Sequence, residues 1–381
     1  MNTHDLGSSV PLAPPLYTSA VYTLPDLDAL DAISDGHAAG YIYARDGHPN
    51  GDHLAAELAA LEGGTWGIAC ASGMASLSAA FVALVSAGDT ILASQWLYGR
   101  TTQLFKQQLV RFGVKTVSVD LSDLAATRAA IVQHKPRVLY AETMSNPMCR
   151  VLDLAALAEI AHANACRFVV DNTFATPVLC RPLELGADLV MESLTKMIGG
   201  HSDVVLGFLA SKDDSLRATI ADVVSMWGFA ASPFGCWQAE RGLLTLDLRM
   251  RAATANAEAL ADWLAVQPGV SRVVYPGRPD HPDHALARRL FPSGCGNMLC
   301  FELAGGRDAV NRFMRAAPGI PFSPSLGHAT TTISYPAGTS HRHDSPAERE
   351  KQGITDGLIR VSAGCEPLEG LKREMAKGLG K

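Results

Sequence analysis

Charge is scarce in this chain, and charge of one sign is nowhere concentrated. Only 18% of its 381 residues are Asp, Glu, Lys or Arg. The 32 bases and 38 acids leave a net charge of −6, with no sustained basic run, which argues against nucleic acid as a partner. No apolar stretch reaches the ~18 residues a membrane-spanning helix requires. The opening "MNTHDLGSSVPLAPPLYTSA" lacks the basic start and apolar run of a secretion signal. Eight cysteines, at 70, 149, 166, 180, 236, 295, 300 and 365, include no CxxC pair. In a chain of this length they read as small buried apolar groups of a reduced, cytoplasmic protein. Internal repeats and low-complexity segments are missing too.

What the chain has is apolar material, 48% of its residues, and a length that implies two domains or one large α/β domain with an appendage. Residues 1 to about 50 have no long period and read as an extended arm. Over 51–245, short apolar runs alternate with helical spacing. The runs "TILASQ" (90–95), "VKTVSVD" (114–120), "RVLYAET" (137–143), "RFVVDNT" (167–173) and "ADLVMES" (187–193) predict strands buried on both faces. Between them "YGRTTQLFKQQLVRFG", "LSDLAATRAAIVQHK" and "LDLAALAEIAHANA" predict helices. Such alternation implies a mainly parallel sheet covered by helices, with ligands at the carboxyl ends of its strands. From 246 a long helical pattern leads into a smaller region ending in a charged tail helix.

One stretch, "VMESLTKMIGGHSDVVLG" (190–207), sets a lysine among hydroxyls and glycines at the end of a strand. Lys196 follows Ser193 and Thr195 and precedes Gly199, Gly200 and His201. Further stretches belong with it. Ser72, Gly73 and Met74 open a helix, whose free N–H groups and positive end suit an anion. Tyr98 and Asn146 follow strands, and Asp171 stands at a strand tip, where a carboxylate stays ionised only against a cation. Pyridoxal phosphate needs all of these together. Lys196 would take its aldehyde and then move protons as a base, Asp171 would keep its ring nitrogen protonated, and Tyr98 would plate its ring. Gly73, Met74, Ser193 and Thr195 would hold the phosphate. A lysine at its ordinary pKa near 10.4 is a poor base at neutral pH, so its surroundings must lower it.

The motifs "YIYAR" (41–45), "SGMAS", "YGRT", "SNP", "VVDNTF", "SLTK", "GGHSDV", "RGLLTLDLRM" (241–250), "VVYPG" (273–277), "SLG" (325–327) and "LIRVSAGCE" (358–366) stand in this order. Together they resemble the cysteine/methionine-metabolism family of pyridoxal-phosphate enzymes, which includes cystathionine γ-synthase, cystathionine γ-lyase and methionine γ-lyase. The resemblance implies a fold-type-I α/β transferase fold: an N-terminal arm (1–50), a cofactor-binding domain (51–245) and a smaller C-terminal α/β domain (246–381). It implies that Tyr43 and Arg45 reach the phosphate of a neighbouring subunit, so that the active unit is a homodimer, commonly paired into a homotetramer. Arg360 would clamp the substrate α-carboxylate. Asn146 would bond the ring's 3-oxygen, Ser325 would orient the lysine or the carboxylate, and Tyr98 would stack on the ring and serve as an acid or base.

Several positions depart from that pattern. "DGHPN" replaces the Asn-Pro-Thr that usually follows Arg45, and Arg100 stands where methionine γ-lyases carry cysteine. Pro324 replaces the glutamate that would meet the distal ammonium of cystathionine. The expected activity is elimination of a heteroatom leaving group from Cγ or Cβ of an L-amino acid, giving a 2-oxo acid and ammonia. Its alternative is γ-replacement by a synthase or sulfhydrylase, since both share a vinylglycine-like intermediate. Arg100 would then bear on the leaving group. Two other classes stay open: a metal-dependent hydrolase using His341, His343 and Asp344, and a catalytically silent scaffold. His201 reads as a loop histidine.

Overall fold

The structure, a computed structural model, describes residues 9–342 and 344–381. Its larger sheet contains β1 (Trp66–Cys70), β2 (Thr90–Ser94), β3 (Lys115–Val119), β4 (Val138–Glu142), β5 (Arg167–Asp171), β6 (Leu189–Glu192) and β7 (Gly207–Ser211). Across the sheet they run β1-β7-β6-β5-β4-β2-β3. β2 to β6 are mutually parallel and coincide with the five strands expected from the apolar runs. β4 and β6 are buried along their whole length, as strands covered on both faces must be. β7 and β1 add an antiparallel edge. They were not anticipated: each is five residues long, and their pairing joins residues 66 and 211, a contact that local periodicity does not register.

Helices cover both faces. Those at Gly73–Leu84, Leu124–His134 and Leu154–His162 are capped by the side chains of Ser72, Asp123 and Asp153, each satisfying a backbone N–H that the first turn leaves free. The segment expected as one helix from 98 to 113 is less regular. An α-helical turn (Gly99–Gln103) widens into a π turn (Leu104–Gln108) and then tightens to a 3₁₀ turn (Leu109–Phe112). Phe105 is fixed edge-on between Phe81 and Tyr140, at 4.7 and 5.4 Å between ring centres. Aromatic packing, not helical spacing, sets its place.

A long helix, Leu246–Ala265, leads to the second sheet, made of β8 (Val270–Val274), β9 (Met298–Leu303), β10 (Thr332–Ser334) and β11 (Leu358–Ser362). These are ordered β10-β11-β9-β8 and are antiparallel throughout. The amphipathic helix Gly306–Ala316 buries Ala309, Val310 and Phe313 against it, and the amphipathic helix Leu368–Gly378 buries Leu371 and Met375 beside that helix and Leu246–Ala265. One continuous apolar core runs through both sheets, from Leu54 to Met375. A second core lies on the other face of the large sheet, around Phe81, Phe105 and Tyr140.

The arm is not wholly extended, because a short helix forms at Leu27–Ser34. "DGHPN" finds a structural use. His48 caps the helix Pro49–Glu62 through Gly51 N–H at 2.9 Å, and Asn50 ties the arm down through Tyr17 N–H and the Pro15 carbonyl, both at 2.9 Å. Seven cysteines are buried and Cys365 is exposed; all eight are free thiols. Among the described residues, no helix is long and apolar enough to cross a membrane.

Candidate active site

The carboxyl ends of β4, β5 and β6 open on one cavity of about 230 Å³. β11 and the loop 324–327 of the smaller sheet's region close its far side, so the two halves of the chain meet around it. Lys196, four residues beyond β6, donates from Nζ to Ser325 Oγ at 3.0 Å. Burial lowers its pKa, and the nearby Arg360 guanidinium lowers it further. The loop carrying Ser325 lies against the lysine backbone because residue 327 is glycine. Its φ is +81°, and a Cβ there would stand 2.6 Å from Met197 N.

Arg360, in β11, is 4% exposed. It donates from Nη1 to Asn146 Oδ1 and from Nη2 to the Ser325 carbonyl, both at 2.8 Å. Its Nε has no partner among the described residues. A buried charged donor left unpaired is costly unless a ligand meets it.

Asp171 ends β5. Its carboxylate accepts Thr173 N–H at 2.9 Å and the Tyr140 hydroxyl at 3.5 Å. Burial raises its pKa, and among the described residues no ion pair relieves it. Glu142, beside it in register on β4, was not singled out from the sequence. Its carboxylate takes Tyr98 N–H at 2.5 Å and the backbone N–H of Asn146. Burial first, then the charge of Asp171, push it well above the usual range. The signal for it was present, since an acid at the end of the apolar run "VLYAE" stands as Asp171 does at the end of "RFVVD". Tyr98 is 39% exposed and lines the cavity, its phenol pushed up by burial.

At the other end, the helix Gly73–Leu84 points its first turn into the cavity. A Cβ on Gly73 would lie 2.7 Å from Ser193 Cβ, so only glycine lets this turn approach the strand end so closely. Met74, Ser193 and Thr195 share the wall. Thr195 Oγ1 is engaged with the backbone of Leu206 in both directions, at 3.1 Å each.

Other expected residues lie elsewhere. Arg100 is exposed, donates to Gln103 at 2.9 Å and does not line the cavity, whereas Pro324 does. Tyr43 and Arg45 stand outside on the arm, stacked on each other at 4.9 Å, with Arg45 also against Asp46 at 3.7 Å. His201 bonds the Gly199 carbonyl at 2.7 Å. Of the alternative metal set, His343 lies outside the described residues. His341 is buried, bonds Ser340 Oγ at 2.8 Å, and is held neutral by a pKa pushed down to about 4, chiefly by burial. Among the described residues no group of three potential ligands is placed to hold a metal.

An uncompensated buried carboxylate, the open first turn of a helix and a depressed lysine amine in one cleft are matched by a cofactor with a cationic ring, an anionic group and an aldehyde, while the unpartnered guanidinium N–H of Arg360 is left for a substrate carboxylate. Pyridoxal phosphate has all three, and the cavity fits it. The protein is accordingly of the pyridoxal-phosphate-dependent enzyme class. It belongs to the family of Cys/Met metabolism PLP-dependent enzymes, whose family model matches residues 3–380. The chain is 42% identical over 364 residues to O-succinylhomoserine sulfhydrylase of Pseudomonas aeruginosa, covering 96% of this chain and 90% of that one. It is 39% identical over 369 residues to L-methionine gamma-lyase of Pseudomonas putida, covering 97% and 92%. The crystal structure of cystathionine gamma synthase from Xanthomonas oryzae pv. oryzae, in complex with cystathionine, matches with a TM-score of 0.91 at 35% identity, covering 97% and 93%.

Proposed function

We propose that this enzyme eliminates a heteroatom leaving group from the γ (or β) carbon of an L-amino acid, yielding a 2-oxo acid and ammonia. The observation that carries this reading is the meeting of Lys196, Asp171 and Arg360 in one cavity. In this reading Lys196 takes the cofactor aldehyde, Asp171 faces the ring nitrogen, Asn146 faces the 3-oxygen and Tyr98 covers the ring. Gly73 and Met74 N–H groups, with the hydroxyl of Ser193 and that of Thr195 once it turns from the Leu206 carbonyl, hold the phosphate. Bound there, pyridoxal phosphate supplies an electron sink for the carbanion at the substrate α-carbon.

Arg360 clamps the substrate α-carboxylate, braced by Asn146 and the Ser325 carbonyl. Lys196 Nζ, steadied by Ser325, removes the α-proton and then a β-proton. Tyr98, at the cavity mouth, returns a proton to the departing heteroatom, which leaves with the bonding electrons. Water then completes the release of ammonia and the 2-oxo acid.

The second reading is γ-replacement, in which a thiol adds where the leaving group departed. The 42% identity to a sulfhydrylase supports it. The protein works in the cytoplasm as at least a homodimer, and as a homotetramer of two such pairs. Supporting this, the arm and the surface around Met226, Leu244 and Leu248 expose large apolar side chains. Product analysis with substituted homoserines, homocysteine, methionine and cystathionine, with and without a thiol acceptor, separates elimination from replacement. Pro324 lines the cavity and carries no charge, and an unpaired substrate ammonium costs several kcal/mol in a closed site. Cystathionine should therefore rank below γ-substituted substrates that lack a second ammonium. Cystathionine leading in kcat/KM would contradict this.

A further inference from the structure

Beneath the cavity floor, on the opposite face of the sheet, the same strand ends carry a second set of polar side chains. Thr143, Asn172 and Glu192 each stand one residue from a cavity group, namely Glu142, Asp171 and Ser193. Alternation along a strand turns the two sets to opposite faces. Glu62, from the last turn of the helix Pro49–Glu62, meets the lower set. Thr143, Asn172 and Glu62 have no exposed surface, and Glu192 has 1%.

Asn172 is the hub. Its Nδ2 donates to Glu62 Oε1 at 2.8 Å, to the Cys180 carbonyl at 2.9 Å and to Glu192 Oε1 at 3.4 Å. Its Oδ1 accepts the Thr143 hydroxyl at 2.8 Å. The Glu62 and Glu192 carboxyls thus meet on one amide nitrogen, close enough for each to bear on the other's ionisation, and Glu62 Oε2 meets no protein donor among the described residues. Two carboxyls in contact inside a protein cannot both ionise. The other charged groups bearing on them are Arg181, which favours ionisation of Glu62, and Glu184 and Asp171, which oppose ionisation of the pair. One proton between the two carboxyls satisfies the oxygen that lacks a donor.

We propose that Glu62 and Glu192 share a single proton and act as positioning residues. Together they lock Asn172, and through the peptide steps 171–172 and 192–193 they fix Asp171 and Ser193 for the cofactor. The inference rests on the assignment of Asp171 and Ser193 to cofactor binding, and its test separates the two. The backbone already joins the three strand ends, through Thr143 N–H to the Asp171 carbonyl and Asn172 N–H to the Met191 carbonyl, both at 2.9 Å; the side chains tie the helix end at Glu62 to them, so a local slip at any of the four moves a cavity wall.

The test pairs infrared spectroscopy with cofactor affinity. At neutral pH, the difference spectrum between wild type and E62Q/E192Q should show a protonated-carboxyl C=O band that shifts in D₂O; no such band overturns the proposal. The cofactor dissociation constant should stay near wild type in E192Q, whose amide replaces the protonated carboxyl. It should rise about tenfold in E192L, which leaves Asn172 without that partner. Thr143→Val, nearly isosteric, gives a second reading at the hub and should weaken binding several-fold even where E192L folds poorly. Wild-type affinity in E192L and Thr143→Val beside weakened binding in Asp171→Asn overturns the positioning role alone. Wild-type affinity in all three overturns the site assignment with it.

Discussion

The carboxyl of Asp171 is buried beside that of Glu142, and without cofactor the described chain sets no cation against it. Its folded pKa is raised above the unfolded value. The stability it contributes is therefore full below about pH 4, the ordinary carboxylate range, and is lost as pH rises through the raised folded pKa. Glu142, Glu62 and Glu192 shift in the same direction, mainly through burial. The cofactor-free protein should thus grow less stable on going from acid to neutral pH. Asp171→Asn removes one of these burdens. Its cofactor-free form should melt a few degrees above wild type at neutral pH, with the gap closing toward pH 4. Activity should fall by orders of magnitude if, as proposed, Asp171 is the partner of the ring nitrogen. Melting curves of the two cofactor-free proteins across pH check the first half and kcat the second. A variant no more stable at neutral pH, or within a few-fold of wild type in rate, would contradict the account. Asp171 and Lys196 were legible in the sequence because polar residues ending apolar runs are conspicuous. Glu62 was not, because it ends an ordinary amphipathic helix and gains meaning only from Asn172 and Glu192 across the fold.

At the scale of elements, the loop 324–327 shows how little backbone freedom the lysine's surroundings have. Gly327 holds a left-handed conformation against Met197 N. Gly327→Ala pays about 1 kcal/mol for that conformation alone and must also push the loop away. That shift separates Ser325 from Lys196 Nζ, so kcat should fall tenfold or more while thermal stability falls modestly. A loss of stability with kcat intact would mean that Ser325 does not steady the lysine. The helix cap at His48 gives a contrasting case. His48→Ala should cost about 1 kcal/mol of stability with little change in rate, measured by denaturant unfolding beside steady-state kinetics. Four of the five parallel strands were legible because burial on both faces makes each a nearly unbroken apolar run; β3, expected to be buried likewise, lies at the sheet's edge and is nowhere fully buried, so it keeps Lys115, Thr116 and Ser118. The edge pair β1 and β7 and the widened turn at Leu104–Gln108 were not, since both depend on contacts distant in sequence.

The whole molecule brings both halves of the chain to one cavity and leaves its arm outward, with Tyr43 42% exposed and Arg45 held, among the described residues, by Tyr43, Asp46 and Ser225 of its own chain. This arrangement supports an active unit in which the arm serves a neighbouring subunit. Arg45→Ala and Lys196→Ala, each inactive alone, should regain some activity when mixed, because one site of the mixed dimer inherits neither defect. No recovery after demonstrated subunit exchange would confine Arg45 to its own chain. The order of the motifs made the family legible, but how Arg360 reaches Asn146 was not, because residues 214 apart are joined only by the fold. The central claim is that Lys196 carries the cofactor. Borohydride reduction of the yellow holoprotein fixes the cofactor to the lysine that holds it, and peptide mass spectrometry then locates that lysine. The account predicts a pyridoxyl group on Lys196 and none in Lys196→Ala; a label on another lysine, or an unlabelled wild type, would contradict it.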